Sequence, residues 1–396
     1  MTRLRASVLS LLACTVLLAG CGSTESEAAP QRIANADMSQ TGPGSLVEAW
    51  TIPKLDTRIV ATGAEAARVL YRSTSGIDGS PTEVSGAVFV PPGDPPPGGW
   101  PVVAYGHGTS GVQQQCAPSL SKDIFGTAPL IAAYIKLGYA VAVADYQGLG
   151  APGGHPYLDS KTAGLNIIDS VRALRKLSPK VSTKWGGVGG SQGGSAMWAA
   201  NEQAATYGTD LNLVGTVSMA PAADITQFAQ LAADQKLSKD QQAAYIWLLM
   251  GIAQTRPGFP IDDYRNGVAA ENWDTLAACV GPETEKRAAI LSDLPASSLV
   301  PSSPEAVTRL TDILASMALP QQKAAAPMLV LYGGKDTYIN SEWTRAAIQR
   351  ACAMGTIIES DFQEGKGHGD VDSSAYLEWL GKRFQGQPPP DNCTTQ

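Results

Sequence analysis

Short, mostly apolar runs recur along this chain, at Val84–Val90, Pro101–Tyr105, Ala140–Ala144, Val214–Met219 and Met328–Tyr332, and several are apolar without a break. Runs that are apolar throughout, rather than alternating, suit strands buried on both faces of a parallel sheet. Gly187–Gly189 reads as a further short strand. Thr356–Phe362 mixes apolar and charged residues and reads as a strand at a sheet edge. Between the strands, helical patterns cover Ala163–Leu177, Gly193–Tyr207, Ser341–Ala353 and Ser373–Phe384. Strand and helix alternate, which predicts an α/β fold: a doubly wound, mostly parallel sheet flanked by helices.

The alternation stops between about residues 222 and 320, where helical patterns continue without a clear strand. Within that stretch Tyr245-Ile246-Trp247-Leu248-Leu249-Met250 is apolar nearly all round. Such a helix has to be buried or face something apolar. Most of these side chains are expected in a core, and a minority on a pocket wall. The division that follows is a core over residues 46–221, an inserted helical cap over 222–320, and the remainder of the core over 321–396.

The N-terminus differs in kind. Arg3 and Arg5 precede the apolar run Val8–Ala19, which is too short to span a bilayer comfortably. Residues 1–20 read as a signal peptide. The run ends in Leu18-Ala19-Gly20-Cys21, which resembles the lipobox of bacterial lipoproteins, where the chain is cut before the cysteine and the thiol carries diacylglycerol. That resemblance implies an exported protein, anchored to the bacterial cell membrane by lipidated Cys21, with residues 21–45 as a small, polar tether. Apart from Cys14 and Cys21, the cysteines are Cys116, Cys279, Cys352 and Cys393. An even number outside the cytosol suggests two disulfides, with three pairings open. A formal net charge of −7 and the lack of a Lys/Arg cluster argue against a nucleic-acid partner. A monomer is expected.

The chemistry centres on Gly189-Gly190-Ser191-Gln192-Gly193, a G-x-S-x-G elbow. The serine of this motif sits on a strained strand-to-helix turn that lifts its hydroxyl above the sheet. Side chains at Gly189 and Gly193 would clash with neighbouring elements. Phosphate-loop readings fail here: Gln192 stands where a dinucleotide fingerprint needs glycine, and Gly333-Gly334-Lys335 is followed by Asp336. A serine hydroxyl needs a base, and the chain has only three histidines. His107 lies in Tyr105-Gly106-His107-Gly108-Thr109, directly after a strand, and is expected to order its loop. His155 lies far upstream of the elbow, in Gly154-His155-Pro156-Tyr157. His368 alone follows the serine, as the order serine, acid, histidine requires. For the acid, Leu329–Tyr332 leads through two glycines to Asp336, with Asp361 and Asp370 as alternatives. An oxyanion would be met by the backbone N–H of Gln192, at a helix start, and by Thr109 or Gly108 in the loop after Pro101–Tyr105. Three histidines without metal-ligand spacing give no zinc site, and no cofactor is expected.

These motifs together resemble the bacterial branch of the secretory lipase family, the lipase A-like group of the α/β-hydrolase superfamily. The resemblance is carried by Tyr105-Gly106-His107-Gly108-Thr109 with Cys116 soon after, and by Gly190-Ser191-Gln192-Gly193-Gly194. Its most distinctive part is Asp145-Tyr146-Gln147-Gly148-Leu149-Gly150, followed by Gly154-His155-Pro156-Tyr157-Leu158. It covers the chain from about residue 45 to 393. It implies hydrolysis of triacylglycerol or other carboxylic esters and a helical cap inserted before the acid-bearing strand. It also implies disulfides Cys116–Cys279 and Cys352–Cys393. Asp145 and Tyr146 are expected to organise the loop under the site.

Three other readings stay in view. A serine peptidase would need a group to hold the substrate amine, for which Asp262-Asp263 is a weak candidate. An acyltransferase would use the same acyl-enzyme with an alcohol as acceptor. A non-catalytic anchored binding protein would need none of the chemistry.

Overall fold

The computed structural model describes residues 29–393 of the 396. Residues 1–20, the expected lipidation site Cys21 and the first part of the tether lie outside the described residues. One sheet holds nine strands. They are β1 (Leu46–Thr51), β2 (Glu65–Thr74), β3 (Pro81–Val90), β4 (Trp100–Gly106), β5 (Ala140–Ala144), β6 (Val181–Gly190), β7 (Asn212–Met219), β8 (Met328–Gly333) and β9 (Ile358–Gln363). Their order is β1-β2-β3-β5-β4-β6-β7-β8-β9. The pairs β1–β2, β2–β3 and β3–β5 are antiparallel, and every pair from β5 across to β9 is parallel. β9 is an edge strand, as its mixed composition suggests.

The helices that matter below are α1 (Ala128–Lys136), α2 (Ser160–Leu177), α3 (Gln192–Ala204), α4 (Lys239–Thr255), α5 (Glu283–Asp293), α6 (Pro304–Met317), α7 (Ser341–Ala353) and α8 (Tyr376–Phe384). On one face of the sheet α2 packs Ile167, Val171 and Leu174, and α3 packs Met197, against Val69, Val102 and Trp185. On the other, α1 and α8 pack Ile131, Ile135, Trp379 and Leu380 against Val103, Val141 and Val188. Burial on both faces is why β4, β5 and β8 read as largely apolar runs.

The sequence pattern missed β1, β2 and α1. In β2 Ala67, Val69, Tyr71 and Ser73 are buried, alternating with half-buried Arg68, Leu70 and Arg72. A strand with one covered face leaves a weaker signal than a doubly buried one. β6 begins at Val181 rather than Gly187, because Ser182-Thr183-Lys184 is more exposed than the rest of the strand. The helix expected from Ser373 begins at Tyr376, and the one expected to reach Tyr207 ends at Ala204.

Between β7 and β8 the described chain forms helices and turns only. This insertion has a hydrophobic core of its own, in which α4 packs Tyr245, Leu248 and Leu249 against Tyr264, Leu276 and Leu310. All six residues Tyr245–Met250 are buried. The four remaining cysteines pair as Cys116–Cys279 and Cys352–Cys393, with Cα–Cα distances of 5.8 and 5.2 Å. The first ties the loop after β4 to the insertion, and the second ties α7 to the C-terminal tail. Among the described residues no helix is long and apolar enough to cross a membrane.

Candidate active site

Ser191 stands between the end of β6 and the start of α3, with φ 55° and ψ −120°. A non-glycine residue in that region is strained and needs surrounding structure to hold it. Its N–H donates to Met219 O at 2.8 Å, which fixes the turn to the end of β7. The flanking glycines answer to close approach: a Cβ on Gly193 would overlap the carbonyl oxygen of Gly106, and one on Gly189 that of Gly193. The elbow therefore sits where β4, β6 and α3 are closest.

Asp336 comes from the turn after β8, and His368 from the loop after β9. After β8, Gly334 N–H donates to Gln363 O at 3.0 Å and Lys335 N–H to Lys366 O at 2.8 Å. These bonds stitch the turn bearing Asp336 to the loop bearing His368. Asp336 Oδ1 accepts the N–H groups of Tyr338 and Ile339, both at 2.8 Å. Its Oδ2 lies 2.7 Å from His368 Nδ1. His368 Nε2 lies 2.8 Å from Ser191 Oγ. Asp336 has a side chain only 3% exposed, and His368 16%, so the relay is largely shielded from water. The alternative acids lie elsewhere: Asp361 accepts from Gln363, and Asp370 from the N–H of Gly367.

Gln192 is the first residue of α3, so its N–H has no acceptor within the helix. Its side chain points the other way: Nε2 donates to His155 Nε2 at 3.1 Å. His155 Nδ1 is 2.8 Å from Gln147 O. Burial pushes the pKa of His155 down to about 4, so the ring is neutral, with its proton on Nδ1. Thr109, in the loop after β4, has its hydroxyl 2.7 Å from Tyr157 OH. His155 and Tyr157 thus hold Gln192 and Thr109, two of the three residues expected to meet an oxyanion. Sequence reasoning missed that pairing, although Gly154-His155-Pro156-Tyr157 belongs to the most distinctive stretch of the chain. Gly108, between His107 and Thr109, lies beside the elbow: a Cβ on it would come 3.7 Å from Gly190 O.

His107 and Asp145 build the floor. The Asp145 carboxylate accepts from Ser85 Oγ at 2.6 Å and from the N–H of Ser119 at 2.8 Å. The His107 ring stacks on Tyr146 with centroids 4.3 Å apart, and Tyr146 OH donates to His107 O at 3.1 Å. Burial lowers the His107 pKa, against the opposing pull of the Gly108 and Asp145 carbonyls and the Asp145 carboxylate. His107 lies away from the Ser191 relay.

A cavity of about 510 Å³ opens onto Ser191 and His368. Thr109 and Tyr157 line it from the core, and Phe228, Trp247 and Arg287 from the insertion. Asp262 and Asp263 are outside it, occupied by Arg265 and Arg309. Among the described residues no three His, Cys, Asp or Glu side chains cluster as a metal site needs.

The family model for secretory lipases matches residues 126–392. A Mycobacterium tuberculosis protein named as a probable inactive lipase is 27% identical over 198 residues, 46% of this chain and 43% of the relative. The chain thus matches less than half the length of that curated relative. The structure of Candida antarctica lipase A in its closed state is similar over 91% of this chain and 86% of that one, with a TM-score of 0.73 at 17% identity. The rice cell wall degrading esterase LipA of Xanthomonas oryzae is similar over 87% and 97%, with a TM-score of 0.62 at 21% identity. Identities this low show the fold, which is that of the α/β-hydrolases.

Proposed function

The chain belongs to the secretory lipase family, and from that premise we propose that it hydrolyses carboxylic esters through an acyl-enzyme on Ser191. One observation carries the reading: the unbroken relay from Asp336 Oδ2 through His368 to Ser191 Oγ, at 2.7 and 2.8 Å. Both distances are within the range needed for proton transfer and orientation.

In this reading Ser191 Oγ attacks the ester carbonyl carbon while His368 Nε2 takes its proton. Asp336 holds the imidazole by Nδ1–H and stabilises the imidazolium. The carbonyl oxygen becomes an oxyanion, met by the N–H of Gln192 and by the loop at Gly108 and Thr109. Collapse breaks the bond to the alcohol oxygen, which leaves with the proton from His368. Water then attacks the acyl-enzyme by the same steps and releases the acid. The apolar side chains of Phe228 and Trp247 suit an acyl chain or other apolar group. The two disulfides support a place outside the cytosol. The N-terminal pattern supports export with an anchor at Cys21.

The relative named as inactive favours a second reading, a lipase-like protein without turnover. Turnover of a p-nitrophenyl ester series by the mature protein and by Ser191→Ala separates the two. The expected result is hydrolysis by the wild type and a loss of about 10⁴-fold or more in kcat for the variant. Equal rates, or no turnover of any ester by the wild type, would sink the hydrolase reading.

A further inference from the structure

Among the described residues that line the cavity over Ser191, Arg287 carries a formal positive charge and none is a carboxylate. Arg287 lies on α5, in the insertion, and lines the cavity together with Ser191 and His368. Its guanidinium carbon sits 4.0 Å from the centroid of the Trp247 ring. Its Nε donates to Leu276 O at 3.0 Å, and Trp247 Nε1 donates to the same carbonyl at 2.9 Å. One carbonyl therefore fixes both the indole and the guanidinium stacked on it.

What Arg287 lacks is a carboxylate. Other arginines of the insertion are paired: Arg265 with Asp262, Arg309 with Asp263. Among the described residues no acid pairs with Arg287, and its Nη groups make no hydrogen bond. The groups that act on its charge are the neutral phenols of Tyr157 and Tyr338. Burial lowers its pKa, but a guanidinium stays charged in proteins. A half-buried cation without a partner is unfavourable. A leucine or methionine would cover Trp247 without that penalty. The Trp247 face and the Leu276 carbonyl account for one face and one edge of the guanidinium and leave its Nη edge without an acceptor. Held on Trp247 by one edge, the guanidinium keeps its planar Nη fork for an anion with two oxygens.

We propose that this cavity selects esters that also bear a carboxylate, in the acid or the alcohol part, and that Arg287 holds this carboxylate while Ser191 attacks. The proposal rests on Ser191 being the nucleophile.

The test uses two matched pairs of substrates. One pair is the p-nitrophenyl monoester of adipic, suberic or sebacic acid against the same compound with its free acid methylated. The other is the butyrate ester of 4-hydroxybenzoic acid against that of methyl 4-hydroxybenzoate. The readout is the ratio of kcat/KM, anionic over neutral, so a general loss from altered packing cancels. Wild type is expected to favour the anionic member in at least one pair. Arg287→Met is expected to lower that ratio about 10- to 100-fold, the range for a hydrogen bond to a charged group. Arg287→Lys keeps a charge without the fork and is expected to fall between. A wild-type ratio at or below one in both pairs, or a ratio unmoved in Arg287→Met, overturns the proposal. If the neutral esters turn over in wild type and not in Ser191→Ala, that failure leaves the nucleophile standing. If no ester turns over at all, both readings fall.

Discussion

At the rim of the sheet, Ser191, Asp336 and His368 are set by backbone. Each follows the end of a parallel strand, and main-chain hydrogen bonds tie the Ser191 turn to the end of β7 and the Asp336 turn to the His368 loop. On the insertion side of the same cavity, Trp247 and Arg287 are set by packing and by a single carbonyl, that of Leu276. In the proposed reaction the rim carries groups whose geometry tolerates little change, because proton transfer works over a narrow distance range. The insertion carries groups that shape and charge the space above. One sheet can thus keep its chemistry while the helices laid over it alter what enters.

The largest effect that sharpens this contrast belongs to the rim. Asn in place of Asp336 can still accept the two N–H groups of Tyr338 and Ile339 through its amide oxygen. It loses the second acceptor that faces His368 Nδ1. Asp336→Asn is therefore expected to fold normally by circular dichroism and to lose about 10³- to 10⁴-fold in kcat on a p-nitrophenyl ester. A loss under about tenfold would mean that the rim does not depend on this carboxylate.

Next comes the covalent joint between the two regions. The Cys116–Cys279 bridge closes a loop of 163 residues in sequence separation. Replacing both cysteines by serine is expected to destabilise the protein by about 2–5 kcal/mol, read as a lower unfolding midpoint in calorimetry. An unmoved midpoint would show that packing alone holds the insertion on the sheet.

The smallest effect is electrostatic and lies where the chain leaves the insertion. Glu202, on α3, accepts the N–H of Gln321 at 3.1 Å just before β8. Burial raises its pKa from the ordinary 4.5 to about 7. The folded state therefore binds this proton more tightly than the unfolded chain. Its contribution to stability is full below about pH 4.5 and is lost as pH rises through 7. Glu202→Gln removes the titration while keeping the acceptor. Between pH 5 and pH 8 the variant is expected to gain on wild type by on the order of 1–3 kcal/mol, measured as the difference in unfolding free energy. A difference that stays flat, or runs the other way, would remove Glu202 from the joint.

Sequence alone determined the parallel centre of the sheet and the three residues at its rim. The reason is local: a doubly buried strand writes an unbroken apolar run, and an elbow of glycines around Ser191 is dictated within a single short turn. With only three histidines, one of them downstream of the serine, elimination reached His368. Tertiary structure decided the rest. β1 and β2 are held by pairing and a single covered face, which leaves little mark on composition. The contacts of His155 with Gln192 and of Tyr157 with Thr109 join residues 37 and 48 positions apart. Arg287 is one charge among several in Glu283-Thr284-Glu285-Lys286-Arg287. Only the fold of the insertion lays it on Trp247, in the cavity that Ser191 also lines, because that placement depends on packing between helices and not on any spacing along the chain.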